Sequence, residues 1–76
     1  MKARVYITLK SGVLDPQGKA IHHALDNFGF KGINDVRQGK YIELDLADGT
    51  PLSDIDDMCR KLLANIVIEN FRIELA

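Results

Sequence analysis

The 76-residue chain reads as an α+β domain, a two-layer sandwich of order βαββαβ with two helices on one face of an antiparallel sheet. Three observations lead there. Apolar residues alternate at a period of two through Ala3–Leu9, Tyr41–Leu46 and Val67–Leu75. Two other stretches, Ile21 to Phe28 and Ile55 to Leu63, repeat their apolar residues at spacings of three and four. Turn and cap residues fall between these runs, so strands and helices interleave along the chain.

In the first strand Val5, Ile7 and Leu9 share one face, with Arg4, Tyr6, Thr8 and Lys10 around them. Ser11 and Gly12 break that alternation. Asp15 caps a helix whose first residue is Pro16, because a carboxylate accepts from free N–H groups while proline lacks one and has φ preset. The negative charge also suits the positive end of the helix. Ile21, Ala24, Leu25 and Phe28 form its apolar stripe, and Gly29 stops it by taking positive φ. Ile33–Gln38 is expected as the second strand, with Gly39 and Lys40 in a tight connection to the third. In Tyr41–Leu46 the side chains of Ile42, Leu44 and Leu46 face inward and those of Tyr41, Glu43 and Asp45 outward. Asp48-Gly49 is a turn signal, and Pro51 after it favours entry into a helix. Ile55, Met58, Cys59, Leu62 and Leu63 make the second helical stripe, which Asn65 is expected to close in the left-handed conformation. In the last strand Phe71, Ile73 and Leu75 share a face.

This order is ferredoxin-like, with the first and third strands as neighbours. Arg4 and Lys10 then lie near Glu43 and Asp45. That gives a use to an uneven charge distribution: residues 1–40 hold seven Lys/Arg and three Asp/Glu, and residues 41–76 hold three and eight. The sheet face without helices carries Tyr6 and Tyr41 among charges, as a solvated or docking surface.

A chain of this length is a single domain, residues 1–76, burying only about 60% of its unfolded surface, so association is expected to supply the missing burial. A net charge of −1 argues against bulk electrostatic binding to nucleic acid or membrane. The single cysteine, Cys59, has no partner for an intramolecular disulfide, and no apolar run approaches the ~20 residues of a membrane span. A cytoplasmic location is the expectation.

Candidate chemistry is sparse. His22 and His23 point about 100° apart on a helix and are unsuited to holding one metal. Cys59 sits in an apolar stripe as filler, and Asp54, Asp56 and Asp57 read as a solvated helix start. Gln17, Lys19, Arg37, Gly39 and Lys40 place amide and cationic groups on one edge without a nucleophile, paired carboxylates or a phosphate-cradling loop. Neither a cofactor nor a metal is expected. RNA-recognition domains share the topology, but outward Glu43 and Asp45 repel phosphates and the basic-aromatic octapeptide is absent. Acylphosphatase-like enzymes need an arginine-bearing loop after the first strand, which Ser11 to Asp15 lacks.

Leu-Asp-Pro-Gln-Gly-Lys-Ala-Ile at 14–21, Gly29-Phe30, Val36-Arg37 with Gly39-Lys40, and Cys59 with Leu62-Leu63-Ala64-Asn65 and Val67-Ile68-Glu69 resemble the PurS family, small subunits of phosphoribosylformylglycinamidine synthase. The resemblance spans nearly the whole chain. It implies a non-catalytic subunit of purine biosynthesis, a homodimer or dimer of dimers. Such a subunit bridges a glutaminase (PurQ) and an ATP-using synthetase (PurL) so that ammonia passes between them. It also implies interface roles for Asp15, Gln17, Gly18, Lys19, Arg37, Gly39, Lys40, Asn65 and Glu69. One departure is Ile66, where the family usually has proline. The alternative from another class is an ACT-like dimeric module that binds an amino acid.

Overall fold

In a computed structural model describing residues 1–76, the sheet is built on one central strand, β1 (Lys2–Leu9). Strands β2 (Gly39–Asp45) and β3 (Glu69–Leu75) pair with it on either side, both antiparallel, in the order β2-β1-β3. Val5 lies opposite Ile42 and Ile73, and Arg4 opposite Glu43 and Glu74. Since side chains alternate across a strand, this register puts Ala3, Val5, Ile7, Ile42, Leu44, Phe71 and Ile73 on one face. Tyr6, Tyr41, Arg4, Glu43, Arg72 and Glu74 take the other. The expected neighbourhood of Arg4 and Glu43 is present; Lys10 instead lies past the far end of β1, where its N–H donates to the Ile68 carbonyl.

The apolar face is covered by α2 (Leu52–Met58) and a π-helical turn that continues it (Cys59–Leu63). Val5, Ile7, Cys59 and Ala64 form the buried cluster, with Ile42, Leu44, Leu63, Phe71 and Ile73 packed against it, and Ile55 is fully buried. The wide turn is closed by Ala64 N–H donating to the Cys59 carbonyl at 2.8 Å, five residues back. It corrects two expectations. Leu62, placed in the stripe by regular helical spacing, is 83% exposed, because the wider turn rotates it off the core face. Asn65 does not take positive φ; the helix ends at Ala64 in an extended conformation, φ −121° and ψ 146°.

The other helix, α1 (Pro16–Asn27), ends as expected. Gly29 takes φ +93°, and the Phe30 and Gly29 N–H groups donate back to the Leu25 and Asp26 carbonyls. Yet α1 contributes no side chain to the buried cluster or to the residues packed against it, and only Gly18 in it is buried. Phe28 and Phe30 are 81% and 60% exposed. Residues 33–38, expected as the second strand, run back toward the sheet without entering it, so the chain has three strands in a βαββαβ-like order. The physical reason is that Ile33 and Val36 stand three apart, so no alternation gives this segment a buried face with which to enter the sheet. Helix and return segment together form an arm, and the molecule measures 48 × 25 × 15 Å. Its radius of gyration is 15.6 Å, against about 11 Å for a compact chain of this size.

Candidate functional site

The base of the arm gathers most of the polar residues singled out in the sequence. Asp15 precedes α1 with non-helical backbone, φ −127° and ψ 80°, and its Oδ1 accepts from the Gly18 N–H at 2.8 Å. Its Oδ2 accepts from the Gln38 N–H, also at 2.8 Å. One carboxylate therefore caps the helix and ties down the end of the return segment. Only 4% of Asp15 is exposed. The two backbone donors, Gln38 first and then Gly18, hold its carboxyl below the usual range, with a smaller contribution from the Arg37 charge.

Gly18 is required by that closeness. A Cβ there would lie 2.5 Å from both Asp15 Oδ2 and the Val36 carbonyl oxygen. Arg37 reaches the other way and donates to the carbonyls of Val13 and Lys10 at 3.2 Å and of Leu9 at 3.5 Å. These are the carbonyls of the end of β1 and the loop leaving it. Gly39 begins β2 where a side chain would run into the Ile7 carbonyl. Higher on the arm, His22 Nε2 sits 2.9 Å from the Ile33 carbonyl.

Lys40 and Glu69 meet over the end of β1, Nζ to Oε2 at 3.6 Å, and the Glu69 side chain is only 11% exposed. Glu69 Oε1 accepts from the Asn65 N–H at 2.7 Å, and Asn65 Oδ1 accepts from the Val67 N–H at 3.1 Å. The last pair of sequence-selected residues thus forms one turn leading into β3. A cleft of about 170 Å³ is lined by Asp15, Gln17, Gln38, Gly39, Lys40 and Glu69 above Ile7 and Leu9. Lys19 projects into solvent with no ion-pair partner. A wider cleft of about 500 Å³ shares Glu69 and runs past Lys10, Asn70, Asp56 and Arg60. Arg60 pairs with Asp56 at 2.7 Å and lies 5.4 Å from the centre of the Phe71 ring.

Residue types alone did not reveal Gln38 or His22. Gln38 contributes a backbone N–H, which every residue but proline possesses, and His22 bonds across eleven residues to a carbonyl. No three His, Cys, Asp or Glu side chains converge as metal ligands. Burial, and then the Asp56 charge, pushes the Cys59 thiol up, away from reactivity. On the uncovered sheet face the Arg72 guanidinium stacks 4.2 Å over Tyr6, whose ring centre is 5.2 Å from that of Tyr41. The charges there pair among themselves: Lys2 with Glu43 at 3.4 Å, and Glu74 with Arg72 at 2.8 Å and Arg4 at 3.7 Å.

Fold and site define a class: a small α+β protein in which Asp15 and Arg37 fasten a projecting arm to a three-stranded sheet. A profile of the PurS family, described as phosphoribosylformylglycinamidine (FGAM) synthase, matches residues 2–76. The Bacillus subtilis phosphoribosylformylglycinamidine synthase subunit PurS is 47% identical over 76 residues, covering 97% of this chain and 90% of its own. A crystal structure of B. subtilis PurS superposes with a TM-score of 0.86 at 48% identity, covering 96% of this chain and 94% of that one. Methanocaldococcus jannaschii PurS, described as one of the subunits of formylglycinamide ribonucleotide amidotransferase in the purine biosynthetic pathway, superposes at 0.84 with 39% identity, covering 96% and 92%. A chain of the Thermotoga maritima PurLQS structure shares the fold, with a TM-score of 0.73 at 21% identity over 96% and 93% of the two chains. The chain belongs to the PurS family.

Proposed function

We propose that this chain is the assembly subunit of phosphoribosylformylglycinamidine synthase in purine biosynthesis. It bridges a PurQ glutaminase and a PurL synthetase so that nitrogen released from glutamine reaches the synthetase, and it contributes no reacting group of its own. Family membership supports the pathway and the complex. The observation that carries the assembly role is the arm. A helix with an apolar stripe, followed by the exposed Phe28 and Phe30 and giving no side chain to the core of its own chain, is built to be covered by protein.

A second copy of the chain is the first cover we propose. Arms with Ile21, Phe28 and Phe30 exposed bring to a homodimer the apolar burial that a 76-residue protomer lacks. Gln17, Lys19, Lys40 and the Asn65–Glu69 turn lie at the accessible base, where we place contacts to the larger subunits. The location is cytoplasmic, where a reduced Cys59 and soluble partners belong; no helix is long and apolar enough to cross a membrane.

Reconstitution tests this role. PurL and PurQ are assayed with glutamine, and with ammonium as a control nitrogen source, with and without the chain. Glutamine-dependent turnover that needs the chain, while ammonium-dependent turnover does not, is the expected result. Equal glutamine-dependent rates with and without it reject the bridging role.

A further inference from the structure

We infer that Asp15, Gly18, Arg37 and Gly39 act within the chain, as a latch that fixes the angle of the arm, and that assembly depends on them through the arm they hold. The inference deepens the role proposed above and, for its consequence in assembly, rests on it. Each of the four is used up inside the protomer. Both Asp15 oxygens are occupied by backbone N–H groups, one from each limb of the arm, and the side chain is almost wholly covered. Arg37 spends its guanidinium on three carbonyls at the end of β1 and in the loop that follows. Gly18 and Gly39 permit backbone approaches that any side chain would block, against Val36 and Ile7 respectively.

Without these bonds the arm is joined to the sheet only by two flexible connections. Residues 10–15 leave β1 without regular structure, and residues 31–38 return to β2 without a strand partner. Beyond the latch the two limbs are tied by the His22–Ile33 contact at mid-arm and, near the tip, by exposed Lys31 Nζ donating to the Asp26 carbonyl at 3.2 Å. A swinging arm presents Phe28 and Phe30 at every angle, and ordering it on association costs affinity; a latched arm presents them at one angle.

Asp15→Asn separates the latch from the cap. Asparagine starts a helix about as well as aspartate, so its oxygen still serves Gly18, while its amide NH2 meets the Gln38 N–H donor against donor. Gly18→Ala breaks the same closure by steric contact. Hydrogen exchange and sedimentation are read on the full chain. In both variants exchange at the Gln38 amide should accelerate about tenfold or more. The homodimer dissociation constant should rise by a similar factor, while amides of β1 and β3 keep their protection. Three outcomes overturn the inference. In one, Gln38 protection and dimerisation stay unchanged while co-elution with PurL and PurQ is lost, which makes Asp15 a direct partner contact. In another, the arm loosens but the dimer holds at its original strength. In the third, β1 and β3 lose protection in both variants, which makes the carboxylate a support of the sheet. If the wild-type chain fails to support glutamine-dependent synthesis, the bridging role falls, and exchange at Gln38 still reports on the latch.

Discussion

Asp15 has a pH dependence that follows from its bonds. Its folded-state pKa is depressed by two backbone donors, so its stabilising contribution is complete above the unfolded-state value of about 4. It is lost as pH falls through the lower folded value, when the protonated carboxyl can no longer accept both N–H groups. Protection of the Gln38 amide should therefore hold at neutral pH and collapse only in acid below about pH 4. An exchange profile that changes between neutral and mildly acidic pH would assign the titration to another group. Cys59 behaves oppositely: buried and pushed up, it should resist thiol reagents at neutral pH in the native chain and react once denaturant is added. Fast labelling of the native protein would contradict its burial beside Val5 and Ile7. The cap at Asp15 was legible in the sequence because it is local, set by Asp-Pro and a helical stripe. The second bond was not, because its donor at 38 is main chain.

Among the elements, the three paired strands were legible because alternation reports which face is buried, and one register satisfies β1 with both neighbours. Residues 33–38 lack that alternation, their two apolar residues Ile33 and Val36 standing three apart; they form the return limb of the arm and pair with no strand of the chain. The π-helical turn was hidden because one widened turn leaves the composition of a stripe unchanged. It gives a sharp contrast between two aliphatic residues of one helical run. Ile55→Ala, in the core, should cost about 2–5 kcal/mol in denaturant unfolding, whereas Leu62→Ser should lie within about 0.5 kcal/mol of wild type. A large loss at Leu62 in the isolated chain would mean that the stripe is regular after all. Gly39→Ala belongs with the first group, since its Cβ meets the β1 backbone where β2 begins.

At the scale of the molecule, shape is the informative quantity. A protomer 48 Å long with a radius of gyration of 15.6 Å is not the outline of a self-sufficient ferredoxin-like sandwich. If a second copy covers the arm, the melting temperature should rise with protein concentration, as for any folded state stabilised by association. Phe28→Ser combined with Phe30→Ser should abolish that dependence and shift sedimentation to the protomer. A melting temperature independent of concentration, with a monomer at all concentrations, would instead leave the arm for the larger subunits alone. Here sequence reasoning reached an expectation of association from length and lost burial, but not the projecting arm. No periodicity says where a helix stripe will be buried, or in whose molecule.

The return segment also sets where the chain is open to cleavage. Residues 31–38 lack regular structure and pair with no strand, and Lys31 is exposed beside the helix stop, as at sites where exposed chain is nicked by proteases. Limited trypsin digestion of a dilute sample should cut there first, and excess partner subunits should slow the cut.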